Sequence, residues 1–292
     1  MKTLCEKVGL SRQSYYKSHH KREKQAIQEE LLIDGIKKIR QDHEKMGGRK
    51  VWGKLKNLMA ENGIYLGRDR FFDLLRQNNL LIHRRKKAPY TTDSRHGLRT
   101  YPNLLKHMEL TAPHQAWVSD ITYIRTWEGF SYLSLITDAY SREIVGYHVG
   151  HNMEVEGCLK ALRMAIRQLP PDAHPIHHSD RGSQYCSHAY TKLLKSHQIQ
   201  ISMTEENHCY ENAIAERLNG ILKQEYGLKR TLPSRKIARI ACAQAIRLYC
   251  TDRPHMSLGM KTPYEVHHGD ELWGDKSVNF YPKSASKTTK PP

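Results

Sequence analysis

The sequence lacks what a secreted, zinc-stapled or membrane protein would need. Its six cysteines, at positions 5, 158, 186, 209, 242 and 250, form no CxxC pair and are scattered along the chain. A disulfide framework is therefore excluded, and the pattern fits reduced thiols in an intracellular, cytoplasmic protein. The 18 histidines fall into no paired His/Cys arrangement, which sets aside a structural zinc knuckle. No long apolar span, signal-peptide core or lipidation motif is present, so a membrane partner is not expected. Sustained heptads and internal repeats are missing too.

Acidic residues are scarce, and unevenly so. Against 47 Lys and Arg stand 30 Asp and Glu, a net charge of +17. Residues 1–106 hold 25 basic and 11 acidic side chains, whereas residues 107–292 hold 22 and 19. A basic arm on a near-neutral globular body points to a polyanion partner, with double-stranded DNA the first candidate. At 292 residues the chain is long enough for more than one domain.

Turn chemistry and periodicity divide it. Residues 1–45 read as a helix-turn-helix, turning at Gly9 with Ser11 capping a second short helix, followed by a connecting helix over 26–42. Residues 46–82 read as a second such module: an amphipathic helix burying Val51, Leu55 and Leu58, a break at Gly63, and a helix from Arg68 burying Phe71, Leu74 and Leu75. Arg68 and Arg70, opening a helix after a glycine turn, suit a recognition helix in a major groove. The plain alternative is a helical hairpin with solvated arginines. A basic linker spans 83–112, a globular core 113–270 and a polar basic tail 271–292. Within the core, three hairpin-linked strands precede alternating helices and strands, which predicts an α/β fold with a mixed sheet flanked by helices.

Three carboxylates stand out there. Asp120 interrupts an apolar strand, a costly place for an unpaired charge. Asp180 ends a strand, where α/β sheets tend to bind ligands. Glu216 belongs to "NHCYENAIAERLNGILKQEY", residues 207–226, which as a helix gathers Asn212, Glu216, Asn219 and Lys223 into an arc of roughly 60°. Each has a bland reading: a buried hydrogen-bonding Asp, a turn former and a solvated helix face. Together they can converge on hard divalent cations, which take oxygen ligands.

The spacing strengthens the second reading. Thirty-five residues separate Asp180 from Glu216, and Lys223 follows seven later. This resembles the Asp-Asp-35-Glu core of retroviral integrases and insertion-sequence transposases. The blocks "WVSDITYI", "YLSLITDAYSREIVG", "HHSDRGSQY", "NAIAERLNGILKQE" and "RPHMSLGMKTPYEV" are similar, in order, to the downstream-frame transposase of the insertion-sequence-three family. The resemblance implies a ribonuclease-H-like integrase core with a five-stranded sheet, preceded by all-α helix-turn-helix modules. It implies two Mg²⁺ (or Mn²⁺) ions held by Asp120, Asp180 and Glu216, with water freeing a 3′-hydroxyl that then attacks a second phosphodiester. It implies DNA as partner, both terminal inverted repeats and target, a homo-oligomer on DNA, and an upstream-frame partner or fusion. Lys223, Asn212, Asn219 and Arg253 become candidate DNA contacts beside Arg68 and Arg70. Small Ala213 and Gly220 would let DNA or the sheet come close. Glu211 replaces the family's usual Asp before Asn212-Ala213, without loss of a metal ligand. A DNA-binding regulator and a nuclease acting on RNA–DNA hybrids are the competing functions.

Overall fold

The computed structural model describes residues 9, 11–82, 98–106, 108–205 and 213–269. It divides into two units, Met1–Arg85 and Lys86–Pro292.

The first unit is helical. Ser11 caps α1 (Arg12–Asp42), its hydroxyl accepting from the Ser14 N–H at 3.1 Å. The short helix and the connecting helix expected here are one continuous helix. No glycine or proline interrupts residues 12–34, so nothing stops propagation. Gly35, within α1, lets another turn approach, since a Cβ there would lie 2.8 Å from Leu55 Cδ2. The next segment breaks at Leu55 into α2 (Gly48–Lys54) and α3 (Lys56–Glu61), and Gly63 turns the chain with φ of +60°. α4 (Arg68–Gln77) begins at the expected residue and buries Phe71, Leu74 and Leu75 against Leu32, Ile36, Val51 and Leu55. The first helix of the proposed N-terminal helix-turn-helix lies outside the described residues.

The second unit is built on a five-stranded sheet ordered β3-β2-β1-β4-β5. β1 (Ala116–Thr126), β2 (Gly129–Asp138) and β3 (Ile144–Gly150) are antiparallel neighbours, whereas β4 (Ile176–Ser179) and β5 (Gln200–Met203) run parallel to β1. The mixed sheet is the one expected from the order of elements. Residue alternation in β1 sets the layers. Trp117 and partly buried Ile121 face a core shared with α5 (Val155–Ile166), α6 (Ser183–Cys186) and α7 (His188–Ser196). Val118 and Ile124 face α8 (Ala213–Glu225) and α9 (Arg235–Thr251) through Ala215, Leu218, Leu222 and Ile246. A short 3₁₀ turn (Met256–Leu258) leads to α10 (Pro263–His268), started by a Thr262/Glu265 capping box.

Two details bear on the expectations. Part of the expected linker lies against β5: Leu104 N–H donates to Ser202 Oγ at 2.9 Å, Met203 N–H donates to the Pro102 carbonyl, and Tyr101 packs on the core. Cys158, Cys186, Cys242 and Cys250 are buried free thiols. Among the described residues no helix is long and apolar enough to cross a membrane.

Candidate active site

The register of the parallel ladder brings the two aspartates together. The last β1/β4 pair is Val118 with His178, and Asp120 and Asp180 each lie two residues further on. Asp180 lies just past the end of β4, near enough to Asp120 for its charge to act on that carboxyl. Asp120 stands on the α8 side of β1, between Val118 and Thr122. Its Oδ1 accepts from the Ile121 N–H at 2.8 Å, and its Oδ2 from the Asn219 amide at 2.6 Å. Asp180 Oδ1 accepts from the Gly182 N–H at 3.0 Å. Gly182 leaves room for that turn, because a Cβ would lie 2.9 Å from the carboxylate oxygen. Burial, and next the charge of Asp180, push the Asp120 carboxyl up to about 7; Glu216 adds a smaller push, against the hydrogen bonds from Ile121 and Asn219.

α8 lies over Asp120. Glu216 is exposed in its first turn, Asn219 is 8% exposed, and Lys223 is half-buried one turn further on. Burial lowers the Lys223 pKa, and the negative charge of Asp120 opposes that shift. Three members of the polar arc therefore border Asp120, while Asn212 lies outside the described residues. Among the described residues, no three His, Cys, Asp or Glu side chains are close enough to hold a metal as they stand. Glu216 is the looser member, exposed and weaker in its effect on Asp120. The buried Asn219 Oδ1 has no hydrogen-bond partner among the described residues.

The chain matches the Integrase core domain family twice, over residues 111–209 and 197–263. It is 37% identical over 266 residues to a 31 kDa protein of insertion element IS600 from Shigella sonnei, covering 89% of this chain and 96% of that one. It is 32% identical over 270 residues to the transposase for insertion sequence element IS629 from Shigella sonnei, covering 90% of each. The chain belongs to the insertion-sequence-three family of transposases. Its activity is DNA strand cleavage and strand transfer by a polynucleotidyl transferase. Among solved structures it is similar to the HTLV-2 integrase catalytic core domain in complex with magnesium, at 20% identity and a TM-score of 0.43, over 54% of this chain and 98% of that one.

Two residues of the transposase expected to touch DNA are occupied within the protein. Arg253 is 2% exposed. Its Nε and Nη2 donate to the two Glu225 carboxylate oxygens at 2.7 and 2.8 Å, and its Nη1 meets His255 Nε2 at 2.8 Å. A guanidinium so enclosed offers nothing to a phosphate; it fastens the C-terminal end of α8 instead. Asn219 likewise spends its amide on Asp120. Gly220 is not a close approach to the sheet, since a Cβ there meets nothing within 4 Å. Arg68 and Arg70 remain exposed, Arg68 beside Asp69 at 2.9 Å. Sequence reasoning missed the Arg253–Glu225 fork, whose partners are 28 residues apart with no periodic link, and the role of Gly182, for which "DRG" was a readable turn signal.

Proposed function

We propose that Asp120, Asp180 and Glu216 hold two divalent cations, Mg²⁺ or Mn²⁺, and that this site cuts and joins DNA at the terminal inverted repeats of a mobile element. The observation that carries this reading is the nearness of Asp180, at the end of β4, to Asp120 on the adjacent β1, with α8 packed over Asp120. The donor set is oxygen only, which suits hard cations. Two adjoining carboxylates, one half-buried with its pKa raised, form a site that positive charge would relieve. Cations held by these three residues would supply Lewis acidity for an in-line displacement at phosphorus. Glu216, at the exposed end of α8, completes the set by turning inward.

The chain's other residues orient and neutralise. Asn219 fixes one oxygen of Asp120 and the Ile121 N–H holds the other, so the carboxylate keeps one orientation. Gly182 does the same for Asp180. Lys223 supplies a positive charge to a phosphate of the bound strand without being a metal ligand. Arg68 and Arg70, in the first unit, contact the element ends. The transposase works as an oligomer on DNA in the cytoplasm, with an upstream-frame partner or fusion.

The test is cleavage and joining of element-end DNA by Asp120→Asn, Asp180→Asn and Glu216→Gln. Each loses turnover by a factor of about a hundred or more while retaining DNA affinity. Lys223→Ala behaves in the opposite way, losing affinity while the cation concentration for half-maximal activity stays put. Wild-type cleavage by any acid variant removes that residue from the site.

A further inference from the structure

The charge asymmetry places DNA binding in the first third of the chain, yet the second unit has a stretch with no acid at all. Between Glu225 and Asp252 the sequence holds no Asp or Glu, but it holds Lys229, Arg230, Arg235, Lys236, Arg239 and Arg247. The first five are exposed.

Hydrogen bonds fasten this stretch to the turn between β1 and β2. Leu232 N–H donates to the Arg125 carbonyl at 2.9 Å, and Trp127 N–H to the Leu232 carbonyl at 3.1 Å. The Arg235 N–H donates to the Glu128 carboxylate at 2.9 Å. At the other end, Lys229 N–H donates to the Lys223 carbonyl at 3.1 Å, so the basic strip begins at the polar arc of α8. Trp127 on the turn is 77% exposed, and Phe130, the second residue of β2, is 44% exposed. The Arg125 guanidinium lies 5.8 Å from the Phe130 ring centroid.

Folding gains little from a tryptophan held in water, and gathering like charges on one surface opposes folding. A partner that removes both penalties carries phosphates and flat apolar faces. Single-stranded nucleic acid has both: cations neutralise its backbone, and aromatic rings stack on its bases. A fully paired duplex presents phosphates but no free base face.

We propose that residues 229–239 and the Trp127 turn form a second DNA-binding surface, which grips the phosphates of a strand passing the active site while Trp127 stacks on one of its unpaired bases. This rests on the catalytic reading only in placing that strand beside Lys223.

The experiment uses the full-length transposase and two fluorescent DNAs, a blunt duplex and the same duplex with a single-stranded extension, over a salt series. The triple variant Arg235→Gln/Lys236→Gln/Arg239→Gln lowers the salt slope on the extended DNA by about 2–3. Trp127→Ala weakens binding of the extended DNA about tenfold and leaves the blunt duplex nearly unchanged, and Trp127→Phe keeps most of the affinity. Thermal unfolding confirms that each variant is folded. An unchanged slope in the triple variant, or equal loss on both DNAs for Trp127→Ala, overturns the proposal. So does altered self-association in Trp127→Ala at constant DNA affinity, which would make the turn a contact between copies. Asp120→Asn, run in parallel, separates the two ideas: if it cleaves normally the catalytic reading fails, whatever the strip does.

Discussion

Glu143 shows how a single side chain sets a response to pH. It lies at the turn into β3, 5% exposed, and its Oε2 has no hydrogen-bond partner among the described residues. Burial pushes its carboxyl up to about 8, a hydrogen bond with Cys250 pulls it down, and the charge of Asp138 adds to the rise. Tyr249 also faces this group. A raised folded-state pKa means that the native chain holds a proton the unfolded chain has already released. The contribution of Glu143 to stability therefore falls as pH climbs toward about 8, above which the buried cysteines, also raised by burial, take over the decline. Buried His177 and His267, both lowered to about 3, act only below the ordinary histidine range, so the interval from roughly 6.5 to 8 belongs to the carboxyls. Asp120 contributes up to about 7. Thermal melts of Glu143→Gln should lose the decline between about pH 7 and 8 that the wild type shows. A decline of the same size in both proteins would mean that Glu143 is ionised in the native state.

At the scale of the element, α8 is the part whose setting matters most. Its apolar stripe of Ala215, Leu218, Ile221 and Leu222 seats it on the sheet, and Asn219 locks its rotation to Asp120. The Arg253–Glu225 fork fixes its far end. Removing one partner of such a buried pair leaves a charge without compensation, at a cost of about 3–5 kcal/mol. Arg253→Met should destabilise the second unit by that order, and Glu225→Gln/Arg253→Met should recover part of the loss. Arg253→Lys keeps the charge but not the fork, and should lower turnover more than DNA affinity. An Arg253→Lys enzyme with wild-type turnover and weakened DNA binding would restore Arg253 to the DNA contacts. The sequence made much of α8 legible, because period and spacing fix which residues share a face. It could not say which edge of the polar arc meets the strand, so Asn219 read as a DNA contact. Arg253 misled for a related reason: whether an arginine is solvated or enclosed depends on a partner that no local pattern names. In β1, by contrast, a charge inside an apolar alternation was itself the signal, and Asp120 stands where that signal put it.

At the scale of the whole molecule, the question is how the surplus of positive charge is used. Composition placed it in the first third, and the helices there bury their apolar faces while leaving Arg68 and Arg70 exposed at the start of α4. The acid-free strip of the second unit was hidden from that count, because acids elsewhere in residues 107–292 nearly balance its cations. Two basic surfaces predict two kinds of salt dependence. Arg68→Ala/Arg70→Ala in the full-length chain should lower the salt slope by about 2 on any DNA if both arginines meet phosphates. If either reads a base edge in the major groove, the preference for an element end over scrambled duplex should fall by about 1–3 kcal/mol for each such contact. Substitutions in the strip should leave that preference alone, since phosphates and stacked bases carry little sequence information. Competition binding with element-end and scrambled duplexes measures both quantities at once. An unchanged slope together with an unchanged preference would return Arg68 and Arg70 to the solvated hairpin, and leave sequence recognition to other residues.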